Sequence, residues 1–423
     1  MGASLDKSAI PAGAADVAAL AKRYRRGFLA VQFSASLAAA NYFNYFPFYL
    51  RDHFGFKAGG NLTFTAFYGL LYMLSASAAG PFGVRHGYFK TLRLGFSGTL
   101  AMMLCGGILP RVLGYSQALL GAEWVILVFW TMSVCITWPT IQALLSQRQS
   151  PGQLSRTVGI YNMVWACASA LAYLISGFLM EKFGGEILFW FSAALNVFQL
   201  AMLPGLKNKD AQIAAAESVQ SAAGVAEPVR GLNPRPIAKA RNFLLLAWIA
   251  NPFAYVAIYG VIPTIPKLAQ NLGLSESGAG TVCSVWQWTR LAAFAWFWLW
   301  PGWHYKFRWL FTAFIAIIGS FVGMLISPQI WMLVLAQIVF GLAIGLIYYS
   351  SLFYSMDAGE SKGKRGGFHE AAIGLGIFIG PGTGVLALNL FPQYANASTW
   401  GISALLVIGL VIFLQARIRG RTA

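Results

Sequence analysis

Twelve long apolar stretches, dealt evenly along 423 residues, constrain this chain more than any motif does. They fall at 27–50, 61–82, 91–112, 122–146, 157–180 and 185–204, and again at 242–268, 278–300, 308–327, 329–355, 367–391 and 397–416. A hydrocarbon layer about 30 Å thick is crossed by about 20 helical residues. Only helices and closed barrels satisfy their backbone there. The pattern therefore predicts an all-α membrane protein of 12 transmembrane helices whose partner is the lipid bilayer. The chain is 58% hydrophobic and 10% charged, whereas soluble domains carry about 25% charged residues. That excludes an ordinary soluble enzyme.

The net charge of +17 raises the possibility of a nucleic-acid partner. Its distribution argues otherwise. Counted segment by segment, 24 Lys and Arg lie on the side of the N-terminus, while five (Arg51, Lys57, Arg111, Lys182, Lys267) lie opposite. Short loops rich in Lys and Arg stay in the cytoplasm. Both termini are thus expected inside, with no role for nucleic acid. The expected location is the plasma membrane, or the inner membrane of a bacterium.

The organisation follows from one interruption. Residues 206–241 form the only long polar stretch between runs, mixing Ala, Ser and charge with Pro228, Pro234 and Pro236. This reads as a cytoplasmic linker. It divides the chain into an N-terminal tail (1–26), a six-helix bundle (27–205), the linker (206–241), a second six-helix bundle (242–416) and a short tail (417–423).

The halves also share a weak repeat. A shift of 218 lays Phe54-Gly55-Phe56 on Leu272-Gly273-Leu274, Gly60 on Gly278 and Thr63 on Thr281. A shift of 208 lays Gly159 on Gly367, Tyr161 on His369 and Asn162 on Glu370. Internal repeats of this kind mark many transporter folds.

Between the second and third runs the sequence reads Gly80-Pro-Phe-Gly-Val84-Arg85-His86-Gly87-Tyr-Phe-Lys90. This resembles the G-x-x-x-D-R-x-G-R/K-R/K signature of the major facilitator superfamily at Gly80, Arg85, Gly87 and Lys90. Val84 stands where the family has Asp. With the six-plus-six plan, the resemblance covers essentially the whole chain. It implies secondary transport by alternating access, with this loop bracing the cytoplasmic gate. It also implies a central cavity lined by the first and fourth helices of each half and flanked by the second and fifth. The Gly-Pro motif of the family's drug antiporters is absent from the fifth run; a Gly376-xxx-Gly380-Pro381 segment stands in the eleventh.

Ionisable residues deep in an apolar run need a reason, because a charge at the bilayer centre costs about 3 kcal/mol or more. Arg290 is the deepest, with Trp286 and Gln287 on the same helical face. A guanidinium among aromatic and amide groups suits an anion, and a planar one best. The competing role is an internal ion pair. Glu370, beside His369 near the start of its run, is a candidate proton-coupling carboxylate; Arg365 nearby offers a purely structural alternative. Glu123 is read as structural.

Polar and aromatic faces complete the candidate site. They comprise Asn41, Asn44 and Tyr45 in the first run, Trp138 in the fourth, Asn162 and Trp165 in the fifth, Tyr255 and Tyr259 in the seventh and Tyr348 in the tenth. Singly, such residues are interhelical hydrogen-bonding groups. Together they suggest a solute cavity. No Walker loop, nucleophile elbow or metal cluster is present, so no enzyme activity, cofactor or metal is expected.

The sequence thus predicts a monomeric secondary transporter for a small organic anion, coupled to H+. The alternatives are efflux of amphipathic compounds and, in a different class, a transporter-like membrane sensor.

Overall fold

In a computed structural model, residues 14–147, 151–222, 237–357 and 362–422 are described. Every one of the twelve apolar runs is helical. The first half holds α1 (Ala14–Phe54), α2 (Ala58–His86), α3 (Tyr88–Leu113), α4 (Gln117–Ser146), α5 (Pro151–Phe183) and α6 (Ile187–Ala222). The second holds α7 (Ile237–Val261), α8 (Ile265–Asn271), α9 (Glu276–Cys283), α10 (Val285–Leu299), α11 (Phe307–Ile326), α12 (Ile330–Asp357), α13 (Lys362–Leu390) and α14 (Ala397–Thr422).

Two of the expected helices are broken. The seventh passes through a 3-10 turn at Ile262–Thr264, where Pro263 and Pro266 cannot donate to the helical ladder, and continues as α8. The eighth is interrupted at Ser284, splitting it into α9 and α10. Among the described residues, ten segments are long and apolar enough to cross a membrane; α1 and the α9–α10 pair fall outside that count. The reason for α1 is visible in its packing. Tyr42, Tyr45, Phe46, Phe48 and Tyr49 are all enclosed by neighbouring helices, and Gln32, Ser34, Ser36, Asn41 and Asn44 of the same helix are buried with them, so its interior is aromatic and polar rather than aliphatic.

The helix boundary expected near residue 205 is corrected. α6 runs on to Ala222, through what the sequence suggested was the start of the linker. Leu206, Ile213 and Ala216 are buried, and the first two share a cluster with Tyr24 and Phe28 of α1. That apolar stripe gives the polar segment a reason to remain helical. The rest of the linker, 223–236, lies outside the described residues. Trp303 is 1% exposed and donates from Nε1 to the Phe297 carbonyl at 3.0 Å.

The repeat is written in the backbone. Gly55 and Gly273, paired by the shift of 218, both take left-handed φ (66° and 64°) just before α2 and α9. The same shift pairs Gly87, at φ 86° between α2 and α3, with Tyr305 at φ 55° before α11. Tyr305 is the one non-glycine residue with positive φ among the described residues. Its amide donates to the Tyr354 hydroxyl at 3.0 Å, which helps hold a conformation that side chains resist.

The halves meet along two seams: α2 against α13, and α5 against α9 and α10. The first seam is a close backbone approach. A Cβ on Gly374 would lie 2.6 Å from the Met73 backbone. Small residues permit such crossings where side chains would hold helices apart.

Candidate functional site

Between the two seams lies a cavity of about 140 Å³. The first half contributes Gln32, Ser36 and Asn44 from α1, Tyr68 and Tyr72 from α2, Trp138 from α4, and Trp165 and Ser169 from α5. The second contributes Tyr255 and Tyr259 from α7, Trp286, Gln287 and Arg290 from α10, Tyr348 from α12 and Glu370 from α13. Most of the sequence-predicted residues therefore converge on one space, from helices far apart in sequence.

Arg290 is 2% exposed. Its guanidinium carbon lies 4.5 Å from the Trp165 ring, 5.2 Å from Tyr348 and 5.6 Å from Phe294. The sequence expected its neighbours to be Trp286 and Gln287, on its own helix; the partner ring of closest approach comes from α5, across the seam. Tyr255 sets its hydroxyl beside the same guanidinium. The indole is itself held, because Trp165 Nε1 donates to Asn162 Oδ1 at 3.1 Å. Nε and Nη2 of Arg290 have no hydrogen-bond partner among the described residues. No carboxylate pairs with Arg290 among them either.

Glu370, 7% exposed, accepts a hydrogen bond from the Tyr72 hydroxyl at 2.6 Å. That bond joins α13 to α2, and thus one half to the other. Tyr255 and Tyr348 line the cavity alongside both Arg290 and Glu370. His369 belongs to α13, but its side chain lies outside the described residues, as does that of Arg365.

Three predicted residues sit elsewhere. Asn41 donates from Nδ2 to the Leu188 carbonyl and the Ser192 hydroxyl, both at 2.9 Å, and accepts from Ser176 at 2.7 Å. It ties α1 to α5 and α6. Asn162 acts through Trp165. Tyr45 lies toward one end of the bundle, where its hydroxyl donates to the Tyr173 carbonyl at 2.6 Å and approaches the Glu276 carbonyl at 3.4 Å.

That end is closed between the halves. Arg51 Nη2 meets Glu276 Oε1 at 2.7 Å, and the Ser277 amide donates to Glu181 Oε1 at 2.8 Å. The cavity runs away from this closure, toward Gln32, Gln142 and Tyr161. Sequence reasoning missed those three, since an isolated amide or phenol in an apolar run gives no directional signal. Arg85, in the last turn of α2, and Lys90, in the first turn of α3, are exposed and form no ion pair among the described residues. Gly80 lies within α2, and Gly87 makes the turn. No cluster of three metal-ligating side chains occurs among the described residues.

Two helical halves closed at one end around a polar, aromatic cavity have the build of a solute carrier. The chain belongs to the Major Facilitator Superfamily, whose family model matches residues 28–381. It is a multi-pass membrane transporter, not an enzyme. A search of curated protein sequences finds no match. Among solved structures, the human organic anion transporter MFSD10 (TETRAN) aligns with TM-score 0.64 and 13% identity, over 93% of this chain and 99% of that one. A proton-dependent oligopeptide transporter aligns with TM-score 0.68 and 13% identity, over 95% and 98%. A point mutant of the nucleoside transporter NupG aligns with TM-score 0.66 and 10% identity, over 93% and 99%. At these identities the likeness is one of fold.

Proposed function

We propose that this protein carries a small organic anion across the plasma membrane together with H+. In this reading α1 and the α9–α10 pair also cross the bilayer, giving twelve spans with both termini cytoplasmic and the linker inside. The closed Arg51–Glu276 end then faces outward and the cavity opens inward. The halves rock about the cavity, exposing it to each side in turn.

One observation carries the reading. Arg290, a guanidinium cation, is buried at the cavity and has two nitrogens without a partner among the described residues. A buried unpaired charge costs several kcal/mol. Nε and Nη2 form the side-on edge of the fork, which a carboxylate or phosphate engages at two points. Rings pack against the guanidinium, and an anion would satisfy the two nitrogens that have no partner among the described residues. Glu370, the acid at the cavity, supplies the proton site. Its bond to Tyr72 spans the seam, so a change in its protonation bears directly on how the halves meet.

Counterflow uptake into proteoliposomes, with a mixed pool of small acids, sugars and peptides and with or without a pH gradient, tests this. Anions should exchange, and an inward proton gradient should drive their accumulation. Exchange of neutral solutes alone would refute the anion assignment. The aromatic lining favours a second reading, efflux of amphipathic compounds, in which Arg290 is structural; it predicts drug-like substrates and an active Arg290→Ala variant.

A further inference from the structure

The cavity's size and walls narrow the solute further. Ligand clefts for drug-sized molecules run to about 300–1,000 Å³, while an apolar cavity of about 150 Å³ accepts benzene. At about 140 Å³ this cavity has room for one six-membered ring. Its walls match such an occupant. Tyr68, Tyr259, Trp138, Trp165 and Tyr348 all border it, and the existing ring pairs set the spacing. Tyr68 stacks on Tyr259 across the halves at 6.1 Å and 26°, and Trp165 meets Tyr348 edge-on at 5.5 Å and 70°. Among the described residues, the acids and bases lining the space are Arg290 and Glu370, the latter with its Tyr72 bond.

From these features, and resting on the anion reading above, we infer that the solute is a flat, single-ring aromatic monocarboxylate. Its carboxylate takes the Nε–Nη2 edge of Arg290. Its ring lies among the phenol and indole faces, where edge-to-face contact is favoured. One cation supports one carboxylate. A second carboxylate would meet Glu370 and phenol groups in place of a countercharge. A zwitterion would need Glu370 ionised to hold its ammonium, which opposes a proton's being carried on that same group. Aliphatic acids fill the seat with a chain that gains no ring contact.

Full-length protein in proteoliposomes, loaded with radiolabelled benzoate, provides the test. Benzoate should exchange, with butyrate and cyclohexanecarboxylate competing about ten-fold more weakly, equivalent to about one decade in affinity. Phthalate and phenylalanine should compete more weakly still. In Trp165→Leu and Tyr348→Leu the benzoate-to-butyrate ratio should fall toward parity, while Trp165→Phe retains it. Thermal unfolding in detergent, with and without benzoate, confirms that each variant is folded and reads binding independently of transport. Butyrate or phthalate exchanging as well as benzoate overturns the aromatic monoanion and leaves the anion reading standing. Phenylalanine exchanging without benzoate overturns it in favour of a zwitterion. Neutral sugars or nucleosides exchanging while no acid does overturns both.

Discussion

Gly280 sits where the closed end has no room for a side chain. A Cβ there would overlap both the Tyr45 hydroxyl and the Tyr173 carbonyl. The hydroxyl can swing away, at the cost of its 2.6 Å bond to Tyr173, but the carbonyl is backbone and must move with α5. Gly280→Ala should therefore wedge α9 from α5. Overpacking of this kind costs about 1–3 kcal/mol, and the lost hydrogen bond about 1 kcal/mol more. A penalty of about 2–4 kcal/mol on the closed state shifts its population by about 30- to 1,000-fold. The assay is a single cysteine at position 44, which lines the cavity, with Cys105, Cys135, Cys167 and Cys283 replaced. Labelling from the Arg51 face by an impermeant thiol reagent should accelerate at least about ten-fold in Gly280→Ala, well inside that range. Adding Tyr45→Phe removes one of the two overlaps and should restore part of the protection. Unchanged labelling in a folded Gly280→Ala protein would refute the closure described here.

Arg290→Lys should weaken anion binding by about ten-fold or more, because an ammonium cannot reproduce the two-point fork; Arg290→Ala should nearly abolish it, with folding checked by size-exclusion chromatography. Glu370→Gln should abolish proton-driven accumulation yet permit solute exchange, since an amide mimics only the protonated carboxyl; accumulation with unchanged pH dependence would remove Glu370 from the mechanism. Replacing Glu276 with Arg should ease opening of the Arg51–Glu276 end, and the double swap Arg51→Glu with Glu276→Arg should largely restore its closure; each partly exposed charge contributes about 1 kcal/mol or less, so exchange rates should change by less than about ten-fold. A cysteine at position 220 should resist external labelling in intact cells, and its labelling would invert the orientation.

Local chemistry alone accounts for much of this molecule. Helix follows from apolar length, because unpaired backbone is intolerable in hydrocarbon whatever the neighbours are. The family is legible in Gly80, Arg85 and Gly87 with the six-plus-six plan, and the repeat in Gly55 and Gly273, whose left-handed turns depend on the residue itself. Arg290 and Glu370 stood out because burying charge is costly in any arrangement. Which groups share a space is instead a matter of packing between distant segments. Asn41 and Asn44 lie on one turn of α1, yet one joins α6 and the other lines the cavity; only the approach of Leu188 and Ser192 distinguishes them. No spacing within α10 announces that Trp165 covers Arg290, since the contact crosses between halves. The continuation of α6 past residue 206 was hidden for the same reason. Its stripe is short and polar-flanked, and it stays helical because Tyr24 and Phe28, far earlier in the chain, cover it.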